Sequence, residues 1–229
     1  MSAGRWLFGH AADGVVEVGG RVSVRLFLAV LLVPLLICAL CGVASAQWVP
    51  DGVVVCDEVE HQDLPVITTD GRGGAIIVWE DSRDWATNYW DMYVQRVDSA
   101  GYMRWTPNGF PLCDTVGDQV DPSIVPDGLG GAIVAWDDHR GASWDIYAQR
   151  VDSGGNTVWQ HNGIAVCAFT GEQSYLEMIE DGEGGAIVCW NDNRGGEYDI
   201  YVQRIDADGN LLWSPPDGVP VCTVSGWQW

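Results

Sequence analysis

The sequence predicts an all-β fold built from a repeated unit, and three observations lead to this prediction. A ten-residue motif occurs three times, at residues 70–79, 127–136 and 181–190, each time as Asp-Gly, a Gly pair, an apolar run and a Trp. The motif starts lie 57 and 54 residues apart, and self-similarity at such a period indicates stacked or radial modules. No segment of the repeats shows the apolar periodicity of a helix.

Each repeat contains four strand-like segments. In the first repeat these are residues 64–69, 75–79 and 91–97, followed by a segment that carries Trp105 and ends toward Cys113. The Asp-Gly-x-Gly-Gly sequence between the first two supplies the positive-φ residues of a tight hairpin. The second segment is apolar at every position, which suits a strand covered on both faces.

Four antiparallel strands in a unit of about 55 residues are typical of a β-propeller blade. The alternative is a β-solenoid, although coils of this length would be long for one and hairpin turns favour up-and-down strands. Closed propellers have four or more blades, so we expect an incomplete or open ring. The predicted blades are residues 57–113, 114–167 and 168–222, with a partial strand at 48–56 and the start of a further unit at 223–229.

Residues 1–46 are predicted to be an N-terminal extension and a secretory signal peptide. Arg21 and Arg25 precede an apolar run at 26–40, and Ala44-Ser45-Ala46 forms a small-residue cleavage site. The run is about 15 residues long, short of the roughly 20 that span a bilayer. We therefore expect a secreted protein, extracellular or periplasmic, with no membrane span in the mature repeats at 47–229.

The charge balance argues against a nucleic-acid partner. The chain has a formal net charge of −21, and residues 47–229 contain eight Arg, no Lys and 30 acidic residues. Binding nucleic acid requires clustered cations that neutralise phosphates. The negative field instead favours cations, cationic surfaces or simply solubility.

Five cysteines follow the predicted cleavage site. Four of them recur at one position of the repeat, as Cys56, Cys113, Cys167 and Cys222, and Cys189 replaces an apolar residue of the other repeats. In a radial array equivalent positions lie farther apart than the ~7 Å Cα limit of a disulfide. We expect unpaired, buried thiols that behave as small hydrophobic side chains.

The repeat motif resembles that of a known type of protein. Gly-Gly-Ala-Ile-Val-x-Trp-x-Asp-x-Arg followed by Asp-Ile-Tyr-x-Gln-Arg resembles the propeller-type repeats of secreted bacterial surface proteins, over residues 48–229. The blade style is also distantly similar to sialidase-like propellers, whose Asp-box is Ser-x-Asp-x-Gly-x-Thr-Trp. Here Asp208-Gly209 and Trp213 do not fit that box. The resemblance implies an architecture more than an activity.

One end of the predicted blades carries the sequence variation. Successive connections of an up-and-down blade alternate between its two ends, so the Gly turns share one end. The loop between strands 2 and 3 and the loop between blades, with Asp118 and Glu172, share the other, which we call the variable-loop face. Function on a repeat scaffold usually lies in such loops.

The candidate ligand-binding residues are Trp85, Asn88, Tyr89, Trp90, His139, Trp144, Glu197 and Tyr198. Aromatic rings beside carboxylates suit stacking on sugars, and the alternative is that they cover a blade edge.

An Asp and an Arg recur just after the motif Trp, as the pairs Asp81 and Arg83, Asp138 and Arg140, and Asp192 and Arg194. The three Arg side chains could converge to bind a carboxylate or sulfate, as the Arg cluster of sialidases does. Alternatively each Arg pairs within its own blade, with Asp91, Asp145 or Asp199. Recurrence in every repeat favours the structural alternative, because each blade needs a scaffold bond.

Two functional hypotheses follow. The first is a noncatalytic module that binds a glycan or protein partner through the variable-loop face, with further propeller repeats or self-association as possible partners. The second is a glycosidase- or sialidase-like hydrolase that uses Asp81, Asp138 and Asp192.

Under the first hypothesis no catalytic residue is predicted, and no cofactor is predicted. Asp206, Asp208 and Asn210 give only a weak calcium signal, because the distal Glu of a calcium loop is missing.

Overall fold

The computed structural model describes residues 51–86, 89–226 and 228, and these form twelve β-strands and no helix. The predicted leader at 1–46, Trp48 and Asn88 lie outside the described residues. Within the described part of the chain, no helix is long and apolar enough to cross a membrane.

The strands form three four-stranded antiparallel sheets, one for each repeat. Blade 1 consists of β1 (Gln62–Thr69), β2 (Ala75–Asp81), β3 (Asp91–Val97) and β4 (Phe110–Cys113). Blade 2 consists of β5 (Gln119–Pro126), β6 (Ala132–Asp138), β7 (Asp145–Val151) and β8 (Ile164–Cys167). Blade 3 consists of β9 (Gln173–Glu180), β10 (Ala186–Asp192), β11 (Asp199–Ile205) and β12 (Val219–Cys222). Strand order follows chain order in every sheet, so the up-and-down blade is confirmed.

The arrangement of the sheets confirms a propeller-type fold and argues against the solenoid. In a solenoid, equivalent strands of successive repeats would pair with one another, whereas here every strand pairs only within its own repeat. The first strands β1, β5 and β9 contact one another in series and line a shared groove, which we call the axial groove. The three described sheets do not close into a ring.

Two hydrophobic cores lie between consecutive blades, and β6 contributes to both. Its Ala132, Val134 and Trp136 pack against blade 1, while Ile133 and Ala135 pack against blade 3. Successive side chains of a strand point to opposite faces, so an all-apolar strand serves two interfaces. The predicted burial of this strand on both faces is confirmed, since all five side chains are fully buried.

The fourth strand is shorter than the sequence suggested. It begins at Phe110, and Trp105 lies in the preceding loop. The cause is the buried Gln95 on β3, whose Oε1 accepts a hydrogen bond from the Trp105 N–H at 3.0 Å. Its Nε2 donates to the Thr106 carbonyl at 2.6 Å, so the side chain replaces the ladder bonds that would otherwise extend the strand.

All five described cysteines are free thiols, as predicted. Cys113 and Cys167 are buried in the cores, and burial raises the pKa of each thiol to about 12. Cys56, Cys189 and Cys222 are only half-buried, so the expectation that every thiol is shielded is wrong for these three. The reason is position, because they lie on the outer faces of blades 1 and 3, which no described blade covers.

Candidate functional site

The recurring Asp and Arg form a structural cluster with the motif Trp. In blade 2, Asp138 is completely buried and accepts a hydrogen bond from Trp136 Nε1 at 2.7 Å. Arg140 donates to the same carboxylate through Nε at 2.8 Å and Nη2 at 2.6 Å. Its Nη2 also donates to the Asn162 carbonyl at 2.7 Å, and its guanidinium lies 3.7 Å from the centre of the Tyr147 ring.

Blades 1 and 3 repeat this cluster, so each of the three Arg side chains is bound within its own blade and the three do not converge on a shared ligand. Arg83 pairs with Asp81 at 2.6 Å and Arg194 with Asp192 at 2.5 Å. The expected partners Asp91, Asp145 and Asp199 were therefore wrong, and each Arg binds the Asp two residues before it. That carboxylate is close enough in sequence for both oxygens to be reached by one guanidinium fork.

The same cluster removes Asp81, Asp138 and Asp192 from consideration as catalytic carboxylates. All three are fully buried and bound by Arg and Trp donors. Although burial acts to raise the pKa of Asp81, hydrogen bonds from Arg83 and Trp79 hold it below the ordinary value. With its pKa held low, Asp81 is unsuited to act as a general acid near neutral pH.

The variable-loop face has a cavity of about 270 Å³ between blades 2 and 3. Its volume is just below the ~300–1,000 Å³ range of ligand pockets. The lining residues are Val120, Asp121, Asp137, Trp144, Glu172, Ser174, Tyr175 and Tyr198. Of the predicted ligand-binding residues, the structure brings together Trp144 and Tyr198 here, and His139 lies against Trp144 with ring centroids 4.9 Å apart.

The other predicted residues lie elsewhere. Trp85 and Tyr89 form an edge-to-face pair on the blade 1 loop, with centroids 5.1 Å apart and about half of each side chain exposed. Trp90 lies at the junction between blades 1 and 2, where its carbonyl accepts a hydrogen bond from the Gln119 N–H at 2.8 Å. Glu197 accepts one from the Gly226 N–H at 2.9 Å.

Asp137 is the functional candidate that sequence reasoning missed. It lines the cavity and is only 2% exposed, and its Oδ2 accepts a hydrogen bond from the Tyr175 N–H at 2.9 Å. Its Oδ1 has no hydrogen-bond partner of normal geometry among the described residues. Burial raises the pKa of Asp137 to about 8, and the nearby Asp121 and Glu80 carboxylates add to the shift. The only sequence signal was a polar residue at the end of an apolar strand, which varies as Glu80, Asp137 and Asn191.

The rim of the cavity combines aromatic rings with carboxylates. Tyr198 donates its hydroxyl to Glu172 at 3.0 Å, and Tyr175 is 64% exposed beside them. Tyr175 is held with a positive φ of 57° at a register irregularity of β9, and Asp121 has the equivalent conformation in β5. The two residues also line the axial groove, a cavity of about 470 Å³, so the two cavities adjoin.

This arrangement offers stacking surfaces and hydrogen-bond acceptors, with no Arg or Lys among its lining residues. Such a site can bind hydroxyl or amino groups on a flat, partly apolar ligand. An anionic ligand would be repelled by Asp121 and Glu172.

The weak calcium signal corresponds to a turn. Asp206 Oδ1 accepts hydrogen bonds from the backbone N–H groups of Asp208 and Asn210 at 3.0 and 2.8 Å, and the Asn210 amide donates to the same carboxylate. Asp152 makes the same turn in the preceding blade. Among the described residues no group of three or more His, Cys, Asp or Glu side chains could hold a metal ion.

Comparison with known proteins gave no family model and no curated protein that matches the chain. Among solved structures, it is similar to an N-acetylgalactosamine deacetylase from F. plautii in complex with blood group B trisaccharide. The identity is 10%, the match covers 77% of this chain and 59% of that one, and the TM-score is 0.46. An endo-arabinase from Bacteroides thetaiotaomicron is 15% identical over 69% of this chain and 61% of that one, with a TM-score of 0.40. The chain thus spans about three fifths of the length of either. These similarities carry no functional argument.

Proposed function

We propose that the chain is a secreted, noncatalytic β-propeller module of the bacterial surface type that binds a glycan on its variable-loop face. The cavity between blades 2 and 3 is the proposed site. The observation that carries the proposal is Asp137, a carboxyl group that is 2% exposed, lines this cavity and has an Oδ1 with no hydrogen-bond partner of normal geometry among the described residues. A buried polar atom in that state requires a hydrogen bond from a ligand or an ordered water.

The surroundings of Asp137 favour a sugar over other small ligands. Trp144, Tyr175 and Tyr198 supply ring faces and edges, and Asp121 and Glu172 supply acceptors. Sugars present apolar C–H faces and hydroxyl donors together, which matches this mixture. A protein partner would need roughly 1,000 Å² of complementary surface, which a cavity of this size does not provide by itself.

Binding measurements with three variants test the site. The wild-type protein is screened on a glycan array, and the best ligand is titrated by calorimetry against Trp144→Ala, Asp137→Asn and Trp85→Ala. Trp144→Ala removes a cavity wall and should weaken binding at least tenfold, whereas Trp85→Ala changes an exposed aromatic outside the cavity lining and should leave binding unchanged. Loss of binding in Trp85→Ala alone would move the site to the blade 1 loop and contradict the proposal.

A glycosidase-like hydrolase is the second candidate, and one observation favours it. Burial raises the pKa of Glu80 to about 7 and that of Asp137 to about 8, and both groups face Asp121. A protonated carboxyl beside a carboxylate is the pairing that glycoside hydrolysis uses. Incubation of the bound glycan with the protein, followed by reducing-end analysis, separates the candidates. Release that disappears in Asp137→Asn while binding persists would establish the hydrolase.

Secretion is a separate part of the proposal and has its own test. The protein expressed in a bacterial host should be recovered outside the cytoplasm, and N-terminal sequencing should begin near Gln47. Recovery of the uncleaved chain from the cytoplasm would contradict it.

A further inference from the structure

The junction between blades 1 and 2 repeats the geometry of the junction between blades 2 and 3. At the first, Glu80 Oε1 accepts a hydrogen bond from the Asp121 N–H at 2.7 Å. At the second, Asp137 Oδ2 accepts one from the Tyr175 N–H at 2.9 Å. Both acceptors end a second strand and are at most 5% exposed, and both donors are positive-φ residues of the next first strand. The buried acid of the proposed site therefore occurs twice.

The rims of the two junctions also correspond. Asp118 at the first and Glu172 at the second accept backbone hydrogen bonds from His139 and Asn193, at 2.8 and 3.0 Å. The loop aromatics Trp90 and Trp144 each accept one through their carbonyl from the Gln that opens the next blade, at 2.8 Å in both cases. In the repeat Trp144 is also the counterpart of Tyr198, so by its position in the repeat it belongs to the first junction as well as to the second.

We propose that the two junctions are consecutive subsites for one ligand, a polysaccharide with regularly repeating units. This inference rests on the proposed glycan function and specifies its ligand. A repeat scaffold presents the same group of side chains once per blade, and a polymer presents the same sugar once per repeat. When one sugar unit is bound at Asp137, the neighbouring unit of the same polymer is held close to the other junction. Its effective concentration there is high, so the second unit binds without a separate encounter from solution.

The charges at the two junctions restrict the chemistry of the polymer. Asp63, Asp118 and Asp121 lie near Glu80, and Asp121 lies near Asp137 as well. Uronate or sulfate groups would be repelled at every unit. The polymer is therefore neutral or carries amino groups.

Titration of length series tests the inference with the full chain. Mono- to hexasaccharides of glucan, xylan, mannan, N-acetylglucosamine and glucosamine are the probes, with polygalacturonate and heparin as anionic probes. In the series that binds, the affinity of the hexamer should exceed that of the dimer by roughly 100-fold, because only the longer chain reaches both subsites. Equal affinity for monomer and hexamer, or preference for an anionic probe, would overturn the inference and leave the proposed single site intact. Absence of binding to every sugar would instead contradict the proposed function.

Single-junction variants provide a second readout. Trp90→Ala changes only the first junction and Tyr198→Ala only the second, while Trp144→Ala changes both. Each single-junction variant should reduce hexamer affinity to roughly that of the dimer, and Trp144→Ala should reduce it further. Trp85→Ala is the matched aromatic control outside the cavity lining. If Trp90→Ala leaves hexamer binding unchanged while Tyr198→Ala abolishes it, the first junction is not a subsite. Circular dichroism of each variant verifies that the blades remain folded.

Discussion

Asp138 holds Arg140 and Trp136 together in the blade 2 cluster, and its removal should be costly. The carboxylate is fully buried and bound by Arg140 and Trp136, so Asp138→Ala leaves a guanidinium that is only 20% exposed without its partner. Breaking one side of a buried ion pair costs about 3–5 kcal/mol. We expect a loss of that size in the free energy of unfolding, measured by urea titration.

The exposed pair of Arg104 and Asp98 is the matched control. Its N–O distance is 3.6 Å and Arg104 is 54% exposed, so Arg104→Ala should cost less than about 1 kcal/mol. Equal losses of unfolding free energy in the two variants would show that the blade 2 cluster stabilises the protein no more than an exposed ion pair does.

Asp137 should make the stability of the protein fall as the pH rises. Its pKa is about 8 in the folded state, against an ordinary value of 3.8, so the folded protein binds the extra proton between these values. Its stabilising contribution is fully present below about pH 4 and is lost as the pH rises through 8. The melting temperature of the wild type should therefore decline from pH 6 to pH 9.

Asp137→Asn removes one of the buried carboxyl groups with a raised pKa and should reduce that decline, whereas the part due to Glu80, whose pKa is raised to about 7, should remain. Asp138→Asn is an unsuitable control because it disrupts the Arg cluster, so the exposed Asp114→Asn serves instead. A wild-type melting temperature that is constant from pH 6 to 9, or that declines equally in Asp137→Asn, would contradict the raised pKa.

The recurrence of Asp and Arg predicted their structural role, although not that they pair with each other, and it gave no sign of the acid beside Asp138 that we propose as the ligand-binding group. Asp138 stands out because it recurs in every repeat, and recurrence marks a bond that the scaffold needs. Asp137 precedes it by one residue and points to the opposite face of the strand. Its counterparts are Glu80 and Asn191, so the position has no fixed residue type to notice. Its role depends on the positive-φ residue of the next blade, a contact between segments 38 residues apart.

At the scale of the strands, the loop that precedes β8 is fixed by one glycine against the motif Trp. Gly163 has φ of +86°, and a Cβ placed on it would lie 2.7 Å from the Trp136 ring and 2.9 Å from the Ala148 carbonyl oxygen. Both the backbone conformation and the contact disfavour any side chain. Gly163→Ala should therefore destabilise the protein by roughly 2–5 kcal/mol, measured by chemical denaturation.

Gly128→Ala separates the cost of the positive φ from the cost of the steric contact. Gly128 has φ of +74°, and a Cβ added to it would meet no atom within 4 Å, so Gly128→Ala should cost only the conformational term of about 1–2 kcal/mol. A Gly163→Ala loss no larger than that of Gly128→Ala would mean that the loop moves away from Trp136 without cost.

The first three strands of each blade were predictable, because apolar runs between Gly turns specify them locally. The fourth strand was not, since its start depends on the buried Gln95, Gln149 or Gln203 of the neighbouring strand. The irregularities at Leu64, Asp121 and Tyr175 were also missed, because Leu and Tyr rarely adopt a positive φ and a single Asp indicates one only weakly. Local patterns therefore predict the scaffold, whereas the site depends on contacts between blades.

At the scale of the molecule, thiol reactivity should report which blade faces are covered. Cys113 and Cys167 lie between blades and are at most 1% exposed, whereas Cys189 and Cys222 lie on the outer face of blade 3 and are half-buried. Alkylation of the native protein, followed by mass spectrometry, should label Cys189 and Cys222 at least tenfold faster. Equal protection of all four would show that blade 3 is covered in solution.

The outer face of blade 3 has the side chains of an interface between blades. Ile187, Cys189, Ile200 and Val202 are only half-buried, although their blade 2 counterparts Ile133, Ala135, Ile146 and Ala148 are completely buried. In blades 1 and 2 an Arg and a Trp donate to one carbonyl of the next blade. Arg96 and Trp105 bind the Ser153 oxygen, and Arg150 and Trp159 bind the Ala207 oxygen. Among the described residues, Arg204 and Trp213 have no such carbonyl of a following blade.

A further blade should therefore stabilise the protein through this face. Gln228 already donates its N–H to the Tyr198 carbonyl at 2.9 Å, in the place that Gln119 and Gln173 occupy at the start of blades 2 and 3. A second copy of residues 114–167, joined directly after Cys222, would bring the counterparts of Ala132, Val134 and Trp136 against blade 3. Burying its half-exposed aliphatic side chains contributes on the order of 1 kcal/mol each. We expect a higher melting temperature, a larger dependence of unfolding on urea and slower alkylation of Cys189.

The same extension with Trp→Asp at the counterpart of Trp136 is the control, because a charge cannot enter the core. If both extensions leave Cys189 equally reactive, the face does not accept a blade of this repeat.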